Sequence, residues 1–166
     1  LTWKIVFHHS EHTHPFIDAL ASSPNSFMTA NSGETSPDVG YEIILSTTDN
    51  DGMTGSSSVF LVPNTVSLTL ETAPPGLQTT LDGEPHGTPF DVTSVVGMLR
   101  AIGVPLAPGF AFQSWSDGGA STHVITAPAD ATTYIATFAT AVAPTASPTV
   151  SAVASIGKPG RFVRRW

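Results

Sequence analysis

The sequence predicts an all-β protein, and three observations carry that expectation. Gly and Pro, 14 of each in 166 residues, interrupt regular structure too often for a helical bundle. The 18 Ser and 22 Thr outnumber the 19 charged residues (6 Lys+Arg and 13 Asp+Glu) about two to one, a bias that suits pleated, half-exposed surfaces. Apolar residues also recur at every second position in short runs, each closed by a turn signal. With 40% apolar residues the chain has enough material for a core.

The elements follow in order. Leu1, Trp3, Ile5 and Phe7 share one face of an opening strand. A polar loop follows, then a short strand over 26–30 and a better one over 41–46. Thr48-Asp49-Asn50-Asp51-Gly52 reads as a turn, because Asn, Asp and Gly tolerate positive φ and bond their own backbone. Residues 57–62 return as its partner and stop at Pro63. Val66, Leu68 and Leu70 then alternate with Ser67, Thr69 and Glu71 until Pro74-Pro75-Gly76. Residues 77–81 lead to an Asp82-Gly83 turn and a loop through His86 and Pro89, and 90–96 form another strand. The apolar stretch 95–104, bounded by Gly97, Gly103 and Pro105, fits a strand or a helical turn equally. Strands over 110–115, 122–126 and 132–140 complete a set of about nine, and 143–148 has the composition of an extended linker.

A net charge of −7 and a pI near 5.1 leave no broad basic surface, which argues against nucleic acid as a partner. No apolar run approaches the roughly 20 residues a membrane-spanning helix needs. The absence of Cys removes disulfide and thiolate chemistry. Lys158, Arg161, Arg164 and Arg165, interleaved with Phe162 and Trp166, form a basic C-terminal cluster that reads as a solvated end or as a docking tail. The opening residues lack a signal-peptide pattern and an initiator Met, so Leu1 reads as an internal start. Low Lys content with abundant Ser and Thr leans towards an extracellular location.

Two motif sets carry a resemblance. Pro75-Gly76-Leu77, the run Phe110-Ala111-Phe112-Gln113-Ser114-Trp115-Ser116-Asp117-Gly118-Gly119 and the strand Thr132-Thr133-Tyr134-Ile135-Ala136-Thr137-Phe138 resemble a divergent B-repeat module of internalin type. Tyr41-Glu42-Ile43-Ile44-Leu45 with its Asp-rich turn is similar to the last paired strands of an immunoglobulin-like or PKD-like sandwich. The order of the two modules, with a His-rich loop in the first, resembles the C-terminal accessory region of secreted bacterial sugar dehydrogenases of the glucose/sorbosone type. That resemblance implies a compact spacer or binding unit, with any dehydrogenase domain lying upstream. A sandwich of this kind has two or more strands before its Trp-bearing strand, yet Trp3 stands near the first residue. A neighbouring chain, or the Ala/Val-rich tail after Ala141, is expected to fill that gap.

His8-His9-Ser10-Glu11-His12-Thr13-His14 holds four of the six His. Imidazoles two apart on a strand point the same way, so His12 and His14, joined by His8 or His9 and by Glu11, could hold zinc or copper. An ordinary polar connector explains the same residues. Asp49, Asn50, Asp51 and Gly52 offer oxygens to calcium, although a hairpin turn accounts for them. Trp115 with Gln113 and Asp117 is a candidate carbohydrate patch, with a ring for a pyranose face and polar groups for its hydroxyls. Strand alternation puts Trp115 with Gln113 and Ala111, opposite Phe110, Phe112 and Ser114; the B-repeat resemblance instead packs Trp115 across its module. No nucleophile elbow, phosphate loop or dinucleotide fingerprint occurs, and His123 after Ser116-Asp117-Gly118-Gly119 reads as structural.

The resulting expectation is a partial immunoglobulin-like sandwich over 1–63, a B-repeat-like β module over 64–140 and a linker with basic tail over 141–166. The expected role is non-catalytic: spacing, attachment or carbohydrate binding in a secreted protein, with a polysaccharide, a cell-surface component or a strand-donating neighbour as partner. Metal binding through the His-rich loop is the second expectation.

Overall fold

The computed structural model describes residues 1–20 and 26–141. Among them the chain is all-β, without helix and without a closed barrel. Twelve described strands form three four-stranded sheets. The expected linker beyond Ala141 and the basic C-terminal cluster lie outside the described residues.

The first sheet has the order β2-β1-β3-β4 and is antiparallel throughout, with β1 at Thr2–His9, β2 at His12–Leu20, β3 at Val39–Thr48 and β4 at Thr54–Leu61. Period 2 divides its side chains cleanly. Trp3, Ile5, Phe7 and His9 of β1 pair with Leu45, Ile43, Tyr41 and Val39 of β3, and those β3 residues share their face with Val59 and Leu61 of β4. Ile5 and Tyr41 are buried on this apolar face, while Val59 and Leu61 stay exposed. Asp49 closes the β3–β4 turn, its Oδ1 accepting the N–H groups of Asp51 at 3.0 Å and Met53 at 2.8 Å while Gly52 takes a φ of 84°. The Asp49 carboxylate thus serves the hairpin, as the turn reading expected.

The other two sheets face each other across one core. One has the order β10-β12-β5-β8, from β5 (Thr65–Ala73), β8 (Phe90–Val95), β10 (Phe110–Trp115) and β12 (Thr132–Thr140). Its central pair, β5 and β12, is parallel. The second, β11-β9-β6-β7, uses β6 (Gln78–Leu81), β7 (Glu84–Gly87), β9 (Leu99–Gly103) and β11 (Thr122–Thr126). Leu68, Leu70 and Phe138 from one sheet meet Leu81, Ile102 and Ile125 from the other in a single buried cluster. Burial of such side chains contributes on the order of 2 kcal/mol each, and this cluster holds most of the buried apolar residues among those described.

Several expectations need correction. The polar segment after Phe7 is not a loop but the strand β2, joined to β1 by a tight Ser10-Glu11 turn with Ser10 at φ 50°. Residues 26–30 form no strand; Phe27 instead lays its ring against Phe16 and Tyr41, 6.1 and 5.7 Å between centroids. The ambiguous stretch 95–104 turns at Gly97, φ 84°, and continues as β9. The segment through His86 forms β7 rather than a loop, because the Asp82-Gly83 turn sends it back along β6.

Candidate functional site

The hairpin tip between β1 and β2 gathers most of the His-rich loop, and strand parity decides which members meet. The register sets Phe7 opposite His14 and His9 opposite His12, so His9, His12 and His14 lie on the face that also carries Phe7. His9 and His14 share a hydrogen bond between their Nε2 atoms at 3.0 Å. Their rings are nearly parallel, 11° apart, with centroids 5.0 Å apart, so the contact runs edge to edge through the nitrogens. His12 lies beside His9, its ring 5.8 Å away and close to parallel.

Glu34, from the segment that crosses between β2 and β3, fixes the outer side of this cluster. Its Oε2 stands 3.2 Å from His9 Nδ1, and its Oε1 accepts the Ser36 N–H at 2.8 Å. Phe7 supports the other side of the His9 ring at 5.7 Å. Sequence reasoning missed Glu34, because no local spacing announces a contact 25 positions from His9; only the sheet edge brings the two together.

His8 and Glu11 do not join this group. His8 is one position out of phase, so it points through the opposite face, where its Nε2 lies 3.2 Å from Glu42 Oε2 and its ring meets the edge of Phe60 at 5.1 Å. Glu11 sits exposed in the turn. The expected five-residue cage of His8, His9, Glu11, His12 and His14 is therefore divided between two faces and a turn. Among the described residues no three His or carboxylate side chains converge on one point suited to a metal ion.

The carbohydrate patch expected around Trp115 is overturned by burial. Trp115 is 2% exposed, its Nε1–H donates to the Ser121 carbonyl at 3.3 Å, and its ring joins Phe112 and Phe138 in the core. The pairing of β10 with β12 slips by one residue between Phe112 and Ser114, so Gln113 is an extra residue in a bulge. That bulge reverses the parity, turning Trp115 to the side of Phe110 and Phe112 and leaving Gln113 exposed.

Asp117 is held in the neighbouring turn. Its Oδ2 lies 2.9 Å from His123 Nε2 and its Oδ1 accepts the Gly119 N–H at 3.1 Å, while His123 Nδ1 bonds the Ala120 carbonyl at 2.8 Å. Burial pushes the Asp117 carboxyl up, but the hydrogen bonds from His123 and Gly119 and the His123 charge outweigh it and hold the group below its ordinary value. Burial, helped by the Asp117 charge, raises the Tyr134 hydroxyl. The Ser116 hydroxyl accepts the Ile135 N–H at 3.0 Å, so the residues of this turn are occupied in shaping it.

One cavity of about 260 Å³ opens where the first sheet meets the sandwich, lined chiefly by Phe7, Phe16, Tyr41 and Leu61 on one side and Val95 and Met98 on the other. The Leu99 N–H donates to the Asn31 carbonyl at 2.8 Å across the same seam. No helix among the described residues is long and apolar enough to cross a membrane.

No family model, curated protein or solved structure matches this chain. The likeness to an accessory region of sugar dehydrogenases therefore rests on the quoted motifs alone.

Proposed function

We propose that the chain is a non-catalytic accessory module of a secreted protein, which spaces its parent and attaches it to a neighbouring chain by accepting a strand at β4. One observation carries this reading: among the described residues β4 is an unguarded sheet edge. All eight of its residues, Thr-Gly-Ser-Ser-Ser-Val-Phe-Leu, are exposed, with Val59, Phe60 and Leu61 at 54, 49 and 43%. It contains no charge and no Pro, and it pairs with β3 in unbroken register. Sheet edges that must stay single are blunted by charge, Pro or bulges. The opposite edge, β2, has those devices: Pro15, Asp18 and two register shifts against β1.

Strand addition at β4 would satisfy its outward N–H and C=O groups and extend the apolar face that carries Val59 and Leu61. The seam through Leu99 and Asn31 supports the spacing role, since it ties the first sheet to the sandwich by more than the short Val62–Asn64 connection. The test uses the simplest neighbour, a second copy of the chain. Light scattering after size exclusion should show a concentration-dependent dimer, with the β4 amides protected from deuterium exchange in it. A Val59→Lys/Phe60→Lys variant should dissociate at least tenfold more readily. A parent chain that stays monomeric at all concentrations, with β4 amides exchanging freely, overturns the proposal.

A further inference from the structure

We propose that the cavity at the seam binds one small, neutral aromatic molecule, about the size of a benzene ring with a short side chain, and that the bound molecule braces the first sheet against the sandwich. Strand addition at β4 plays no part in this, because every residue that lines the cavity belongs to one chain.

Three features of the lining carry it. Size comes first: an apolar cavity of about 150 Å³ takes up benzene, and the volume of about 260 Å³ here leaves room for a short substituent on the ring. The walls are also of the right kind. The Tyr41 ring meets Phe16 at 74° and Phe7 at 47°, with centroids 5.1 and 5.2 Å apart, so the three offer edges and faces in different directions to an incoming ring. Across from them, Val95 and Met98 supply methyl groups and a polarizable thioether. Finally, the polar groups of the lining are occupied or solvated. Among the described residues Glu34 is its one charged member, with Oε1 accepting the Ser36 N–H at 2.8 Å and Oε2 lying 3.2 Å from His9 Nδ1. The Tyr41 hydroxyl accepts the Ala30 N–H at 3.3 Å, and Thr29 and Ser32 are exposed. A cation entering the cavity meets a carboxylate already shared with His9, and an anion meets no counter-charge, so the desolvation of either goes uncompensated.

Ethylbenzene is the probe. A nuclear magnetic resonance titration of the full chain should show one equivalent bound, with nuclear Overhauser contacts from its ring to Phe16 on one wall and to the Met98 methyl on the other. Benzylammonium and benzoate, of nearly the same shape, should bind at least about tenfold more weakly. Ala30→Trp, which sets an indole at an exposed position of the lining, should weaken ethylbenzene about tenfold. A circular-dichroism spectrum equal to that of the parent confirms that this variant retains its strands. Bound ethylbenzene should also slow deuterium exchange of the Leu99 amide, whose hydrogen bond to Asn31 crosses the seam. The site is overturned by a parent that fails to bind, by the lack of contacts to either Phe16 or Met98, or by unchanged affinity in Ala30→Trp. Benzylammonium or benzoate binding as tightly as ethylbenzene overturns the ligand class, and an unaltered Leu99 exchange rate overturns the bracing role.

Discussion

Arg100 and Asp82 form a two-pronged ion pair at the edge of the core, with Arg100 Nε and Nη2 each 2.7 Å from Asp82 Oδ2. Arg100 is 4% exposed, its Nη1 donates to the buried Ser94 hydroxyl at 3.2 Å, and Asp82 Oδ1 accepts the Ala101 N–H at 2.9 Å. The guanidinium is thereby satisfied inside the sandwich, and the turn carrying Asp82 is locked to β9. Removing the carboxylate leaves a buried cation without its counter-charge. Asp82→Ala should therefore cost about 3 kcal/mol in urea unfolding, whereas an Arg100→Met/Asp82→Ala double variant, which removes both charges, should cost clearly less. Equal losses in the two would show that the pair is not coupled.

Thr79 points the other way energetically. It is fully buried in β6, and its hydroxyl has no hydrogen-bond partner among the described residues. A buried, unbonded hydroxyl costs about 1–3 kcal/mol. Thr79→Val, which keeps the shape and discards that group, should raise the unfolding free energy by about 1 kcal/mol. A loss of stability would mean that the hydroxyl is bonded.

Gly40 allows Phe60 to lie flat on the first sheet, because a Cβ there would run into the Phe60 ring. Gly40→Ala should expel the ring, weaken its edge contact with His8 and cost about 1 kcal/mol. In a Phe60→Ala background the same substitution should cost little, and the difference between the two measurements reports the contact. Equal costs in both backgrounds would place the strain elsewhere.

The Asp117 carboxyl is held below its ordinary value of 3.8 in the folded chain. A lowered folded-state value means that the native state binds the proton less readily than the unfolded one. Its stabilising contribution is therefore complete above about pH 4 and is lost as pH falls through the lower folded value. Asp117→Asn should reduce stability at neutral pH and flatten the acid limb of a stability-against-pH curve. If parent and variant curves remain parallel below pH 4, the His123 and Gly119 contacts do not hold the carboxylate.

Much of the fold was legible locally. The strands Phe110–Trp115, Thr122–Thr126 and Thr132–Thr140 fall where alternation placed them, and Val66, Leu68 and Leu70 point inwards together. The elements that escaped were β2, whose Phe16 and Ile17 stand side by side in a bulged strand and break the apolar period, and β7, which is four residues of Glu, Pro, His and Gly; both become strands because β1 and β6 offer them hydrogen-bonding edges. The candidate site was half legible: the His cluster announced itself, but its division between faces depended on register.

By itself the sequence determined that this chain would be pleated, where most of its turns lie and which residues have the chemistry to bind anything, since those properties depend on a residue and its near neighbours. Tertiary structure alone decided that Gln113 bulges out of β10 beside the buried Trp115, that Glu34 stands behind His9 and that, among the described residues, β4 is paired on one side only. Each of those depends on one residue of register or on a contact more than twenty positions away. A single bulged residue such as Gln113 reverses every side chain after it, and no local pattern records that.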